Sequence, residues 1–166
     1  MKKRIFSMFL FLGCLAMLLC ACEGERLFSF RSRPFEARLR YTQSGQETQL
    51  LLRVEGAQSR MTVLAPEVLA GAVFTWDGDG ARGEYRGLSH TFPGGLAGLY
   101  RVVRLFRLPE VTPVQEGEEY LFSDGDTVWR VRLRDGRPAT VSLTDQDGTL
   151  CAEIEEFRFL DGEVQP

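Results

Sequence analysis

Past Arg4 the chain contains no lysine, and it holds a single histidine, His90. One imidazole leaves no second ring for a histidine-rich metal site. Nothing in "GLSHTFPGG" around it resembles the sharp strand-to-helix turn that presents a catalytic serine. The one long apolar run, Ile5 to Leu19, falls short of the ~20 residues a spanning helix needs. Without its basic head, Lys2, Lys3 and Arg4, the chain keeps 17 basic residues, all arginine, against 23 acidic ones, a net charge of −6. Such a domain is a poor partner for nucleic acid, whose phosphates demand clustered positive charge. No long repeat or low-complexity tract is present.

The basic head and the apolar run form the layout of a secretory signal. Where the run ends, "LLCACEG" resembles the bacterial lipobox, with Leu19 at −3, Ala21 at −1 and Cys22 as the residue that takes the lipid. Cys20 would have Leu19 at −1, and Cys14 would cut the run short. The four cysteines, which at first suggest two disulfides, are redistributed by this reading. Cys14 and Cys20 leave with the signal, Cys22 carries lipid, and Cys151 remains, expected as a buried free thiol. The fold must then rest on its own core. One acyl chain attaches marginally and two hold stably, so a diacylglyceryl thioether on Cys22 would keep the domain at the cell membrane, on the extracytoplasmic face. The expected divisions are a signal peptide over 1–21, a tether over 22–33 and one β domain over 34–166. The 145 residues of 22–166 suit a single core.

Beyond the tether the hydrophobic period is two. "PFEARLRY" sets Phe35, Ala37, Leu39 and Tyr41 against Glu36, Arg38 and Arg40, a half-buried strand. A hairpin loop around Gly45 leads to "QLLLRVEG", and "SRMTVLAP" follows as a third strand. Within "PEVLAG" a leading proline and closing glycine predict one helical turn. Strands resume on either side of "DGDG", then in "EEYLFSDG", "TVWRVRLRDG", "PATVSLTDQDG" and "TLCAEIEEFRFLDG". Turn signals at such spacing mark an antiparallel sheet, sandwich or barrel. One segment breaks the rhythm. Gly94 to Glu110 carries Leu96, Leu99, Val103 and Phe106 at helical spacing, with Arg101, Arg104 and Arg107 on the other side. The fold class expected from the pattern is mainly β with one to two helices: a largely antiparallel sheet with that amphipathic helix inserted near its middle to cover its apolar face.

Chemistry is sparse. Asp77/Asp79, Asp124/Asp126 and Asp145/Asp147 are spaced as in calcium loops but lack the further oxygens and downstream glutamate, and they read as turns. Arg130, Arg132 and Arg134 line one strand face, and Glu153 with Glu155 line another, a pattern expected from ion pairing across strands. The stripe Arg101, Arg104, Arg107 offers either a solvated helix face or contacts to phospholipid headgroups. No catalytic residue, metal ligand or cofactor site is assigned, and the chain reads as non-enzymatic.

The order of these pieces, a lipobox, "FEARLRY", "VLAPEVLAG", "VFTWDGDGARGEYRGL", a mid-chain helix and "GTLCAEIEEFRFL", resembles small lipoproteins of the LolA/LolB-like superfamily of spore-forming Gram-positive bacteria. The resemblance implies an unclosed β-barrel whose apolar concave side, roofed by helix, holds an acyl chain. It transfers no individual functional residue. The cavity would be lined by Leu39, Leu52, Val63, Trp76, Leu99, Val103, Phe106 and Trp129, the alternative being that these pack as a filled core. Two functions follow: a lipoprotein that binds an acyl chain, a palmitate-like lipid or another apolar ligand, or an accessory lipoprotein that docks an envelope or spore cell-wall enzyme. Membrane lipid through Cys22 is the expected partner of both.

Overall fold

The computed structural model describes residues 27–161 except 44–45, 78–79 and 94–96. The signal peptide, Cys22 and the first part of the tether lie outside the described residues, as does Leu96.

Eleven strands form one antiparallel sheet. They are β1 (Phe35–Gln43), β2 (Gln46–Glu55), β3 (Gln58–Ala65), β4 (Val73–Trp76), β5 (Gly80–Tyr85), β6 (Leu88–Pro93), β7 (Val114–Glu116), β8 (Glu119–Asp124), β9 (Thr127–Arg134), β10 (Arg137–Asp145) and β11 (Gly148–Phe159). A single α-helix among the described residues, α1 (Ala97–Arg104), interrupts the series. The sheet does not close, and the expected half-barrel is what forms.

Its order, β6-β5-β4-β3-β2-β1-β11-β10-β9-β8-β7, consists of two meanders joined where the first strand pairs with the last. Phe35 lies opposite Phe159 and Tyr41 opposite Ala152 across that seam. The two ends of the meanders, β6 and β7, are therefore the sheet's edges, and the only connection between them is the segment carrying α1. A chain that must run from one edge of a curved sheet to the other crosses its hollow side. That is why the helix roofs the core, and why it must be apolar underneath.

The period-two expectation holds through most strands because one face is buried: Phe35, Ala37, Leu39 and Tyr41 point inward, as do Leu50 and Leu52, Met61 and Val63, Val131, Val141 and Leu143. It fails in β11. There Leu150, Ala152 and Ile154 share a phase, but Phe157 and Phe159 belong to the opposite one. A β-bulge resolves the conflict: Leu39 pairs with Ile154 and Arg38 with Glu156, so Glu155 is the extra residue. The added residue flips the later side chains back to the core, which a one-residue slip in register always does. A second bulge in β10 leaves Ala139 unmatched between Pro138 and Thr140.

β6 and β7 are not among the strands expected from the pattern. Both are edges, largely exposed, and an edge strand with so little burial carries little alternation. The mid-chain helix is shorter than expected, ending at Arg104, after which Leu105, Phe106 and Leu108 continue as buried coil. "PEVLAG" forms the helical turn, as a short 3-10 piece at Glu67–Leu69. Cys151 requires a correction: it is exposed, on the outward face of β11, because Leu150 and Ala152 take the inward positions. Leu39 sits at the middle of the seam with no accessible surface, so Leu39→Ala is expected to cost about 2–5 kcal/mol in unfolding by urea.

Candidate functional site

The concave face is the natural place for a ligand, and the structure brings the expected lining together there. Leu39 comes from β1, Leu52 from β2, Val63 from β3, Trp76 from β4 and Trp129 from β9; Leu99 and Val103 come from α1, and Phe106 follows it. Seven of the eight are buried and Leu99 packs half-exposed beside them, in one continuous apolar cluster. Leu39, Leu52 and Val103 are 0% exposed, so no water-sized sphere touches them from outside or from an internal void. An acyl chain needs at least that much room. In this conformation the hollow is a packed core.

Part of the packing comes from where a tether was expected. Residues 27–33 lie against the domain: a 3-10 turn at Ser29–Arg31 buries Phe28 and Phe30. Phe28 meets Tyr120 and Phe122 edge-on at 5.1 and 5.0 Å between ring centres, and Phe30 meets Phe35 and Phe157. The Arg31 guanidinium donates to the Pro109 carbonyl. Arg33 donates to both Asp161 oxygens, at 3.1 and 2.7 Å, and lies 3.9 Å from the centre of the Phe159 ring. The chain is thus fastened to the core from Leu27 onward, five residues after Cys22.

The arginine stripe of α1 also turns out to be engaged. Arg101, largely buried, donates to Asp145 Oδ1 at 2.8 Å and to the Gly148 carbonyl at 2.8 Å, and Arg104 reaches Asp145 Oδ2 at 3.3 Å. Asp145 is itself 6% exposed and also accepts the Asp147 amide. The Trp129 indole donates to the Arg104 carbonyl at 3.0 Å, closing the clasp on the helix end. Arg107 donates to the Ala57 carbonyl at the opposite end of the sheet. Of these three arginines, offered above as a solvated face or as headgroup contacts, Arg101 is held largely within the domain, Arg104 in part, and Arg107 lies exposed with one bond to the sheet. Asp145 reads as a turn residue from sequence. The local pattern "TDQDG" carries no sign that a carboxylate there will meet a helix some 40 positions earlier.

The surface rows pair, but not with each other. β10 lies between β9 and β11, so Arg130 reaches Glu119 of β8 at 3.6 Å and Arg132 donates to Thr140. Glu153 and Glu155 both meet Arg40 of β1, at 2.7 and 3.8 Å. His90 lies exposed on β6 against the Phe92 ring, a contact that gives it no nucleophile to activate. Although Cys151 is exposed on the outer face, the strands around its sulfur partly desolvate it and push the thiol up from its ordinary value, with Glu153 adding to the shift, so it is a poor nucleophile at neutral pH. Among the described residues no three His, Cys, Asp or Glu side chains gather as a metal cluster. Among the described residues, one surface groove of about 490 Å³ runs past Leu27, Gly117, Tyr120, Arg132 and Leu133, and one of about 440 Å³ lies where β10 and β11 diverge at their two bulges.

No family model matches the chain, and no curated protein matches it in sequence. Its likeness is to solved structures. It resembles an uncharacterized conserved protein from Thermus thermophilus at 14% identity and a TM-score of 0.50, over 81% of this chain and 83% of that one. A LolA superfamily protein from Nitrosomonas europaea is similar at 8% identity and a TM-score of 0.45, over 84% and 93%. So is a chain of the complex of the CwlD amidase with the GerS lipoprotein from Clostridioides difficile, at 14% identity and a TM-score of 0.37, over 78% and 84%. At 14% identity the likeness to the Thermus thermophilus protein is one of fold alone.

Two outcomes test the site. Phe28→Ala is expected to cost about 3–5 kcal/mol and to speed hydrogen exchange in β8 and residues 27–33. The Arg33 hydrogen bond, more than its charge, holds the Asp161 carboxyl below the usual carboxylate range. A lowered folded value means stability that is present above the unfolded value and lost as pH falls through the folded one. Asp161→Asn should therefore melt slightly below the parent at pH 7, the gap closing as pH drops through the carboxylate range.

Proposed function

We propose that the chain is a non-enzymatic lipoprotein, anchored through Cys22 at the extracytoplasmic face of the membrane, which acts as an accessory module by docking another envelope protein. The observation that carries this is the filled hollow. The hollow that the resemblance implies for an acyl chain is here packed by the chain's own side chains, with Phe28 and Phe30 added from residues 27–33. What remains for recognition is the outer surface, and an anchor five residues from the domain holds that surface close to the bilayer. Loss of palmitate label in Cys22→Ala, with the domain released from the membrane, is the expected result for the anchor. The soluble domain, residues 23–166, should show no saturable binding of a fluorescent fatty acid. An unlabelled parent chain would overturn the anchor, and stoichiometric fatty-acid binding would overturn the docking reading.

A second reading rests on the clasp. The roof over the apolar face is tied at one end by Asp145 through two arginines, and releasing it would uncover Val103 and Trp129. If the domain carries an acyl chain, Asp145→Asn should raise fatty-acid binding severalfold over the parent. Under the docking reading the variant only loses stability.

A further inference from the structure

The two edges of the sheet are treated differently. β7 has three residues, follows Pro113 and ends in Glu116. Shortness, proline and charge are the usual devices that keep an edge from pairing with another chain. β6 has six residues, "LSHTFP", with no Asp, Glu, Lys or Arg among them, and Leu88 through Thr91 are exposed. Among the described residues it is hydrogen-bonded on one side only, to β5. Its single protective device is Pro93, at the end.

Register identifies the free groups. β5 and β6 are joined by a two-residue turn, Arg86-Gly87, both at positive φ, which pairs Tyr85 with Leu88. Such a turn closes on a hydrogen-bonded pair, and the ladder then alternates. Leu88, His90 and Phe92 therefore point their backbone groups at β5, and Ser89 and Thr91 point theirs out of the sheet. The side chains alternate too. Phe92 packs against the core on the inner face, in one phase with His90 and with Leu88, which is 77% exposed. Ser89 and Thr91 share the outer face with Glu84 and Arg82, the residues they pair with on β5.

This row is complementary to itself. In an antiparallel pair of two β6 strands related by a two-fold axis at His90, Ser89 lies opposite the partner's Thr91 and Thr91 opposite the partner's Ser89. Each such pair exchanges both backbone bonds, so no outward amide or carbonyl of these residues is left over. On the inner face Leu88 meets the partner's Phe92, which covers the most exposed large apolar side chain of the described residues. On the outer face one row reads Arg82, Thr91, then the partner's Ser89 and the partner's Glu84, opposite charges with only hydroxyl side chains between them. They stand three strand spacings apart, about 14 Å, a separation that selects register more than it adds affinity. An axis at Ser89 would instead align Glu84 with the partner's Glu84. One at Thr91 would align the two Arg82 side chains and ask Pro93 for an amide it lacks. Pairing β6 with the partner's β7 would leave an open edge at each end and run on into a polymer, and β7 is the edge already blocked. The association closes at two.

We infer that β6 pairs with β6 of a second copy of this chain, in the register centred on His90, so that one sheet runs through both chains. The axis stands normal to the sheet at β6, and the two concave faces look the same way. The pairing depends neither on the docking reading above nor on the anchor.

The test uses the full-length chain in its own cells, two differently tagged forms being made together, with a benzophenone amino acid placed singly at Ser89 of β6 or Gln115 of β7. The expected result is an adduct between the two forms from Ser89, mapped by mass spectrometry to β6 of the other copy, and none from Gln115. Thr91→Pro removes an outward amide but no bond to β5, so it should lower the adduct about tenfold without lowering the melting temperature. His90 faces its own copy across the axis. His90→Glu in both forms, or His90→Lys in both, should therefore lower the adduct about fivefold by opposing like charges. One form with each substitution should restore it, which also shows that both variants fold. Ser89 adducts formed only with a different protein, with lipid or with a later part of the same molecule overturn the proposal. So do the absence of any Ser89 adduct, an adduct mapped outside β6, an equal adduct from Gln115, indifference to Thr91→Pro, and a mixed pair no stronger than the two uniform ones.

Discussion

Everything in this domain depends on the pairing of its first strand with its last. β1 and β11 share the longest inward apolar face, from Phe35 and Phe159 at one end to Tyr41 and Ala152 at the other. Because they meet at the centre of the sheet, β6 and β7 become the edges and the segment between them becomes the roof. The helix is thus where topology requires it, and its buried residues follow from having to cross an apolar surface. The seam carries ion pairs on its outer side, Arg40 with Glu153 and Arg158 with Glu36, which order the exposed face at little energetic gain.

Recognition in this fold is split between an inner and an outer surface. The inner one is occupied by the chain itself: strands from both meanders, the crossover and the aromatic residues of 27–33 fill it. Side chains with no reachable surface leave a ligand nothing to displace except the protein's own core, and the cost of such displacement is that of unpacking. The outer surface carries rows of charge that pair with one another, as Arg40 does with Glu153 and Arg130 with Glu119.

Much of the fold was legible in the sequence because a sheet buried on one face writes itself as alternation. Nine strands, the helical turn at Glu67 and the existence of the mid-chain helix could be read that way. The half-barrel shape came from resemblance. What could not be read has physical causes. The edges are largely exposed, with Phe92 of β6 packing against the core, so β6 and β7 left little period. The consecutive glutamates 155 and 156 look like an interrupted strand until the bulge is seen. Phe28 and Phe30 lie two apart in a segment too short to show a pattern, and so read as part of a tether. The three arginines of the helix do sit on one side of it, but no local signal shows that Asp145 and the Ala57 carbonyl wait there. The eight residues named for a cavity do converge; whether apolar side chains surround a space or fill it depends on packing, which a one-dimensional pattern does not encode.

The central seam also sets an order of events. Leu160 donates its amide to the Pro34 carbonyl at 2.9 Å, joining positions 126 apart. A strand in the middle of the sheet thus waits for β11, more than a hundred positions later, before its second side is covered, a contact of high sequence separation and slow to form. As the chain is made, β1 appears early and stays half-paired until β11 follows. Cooperative closure of the sheet is deferred to that moment, and the chain stays open and extensible until then.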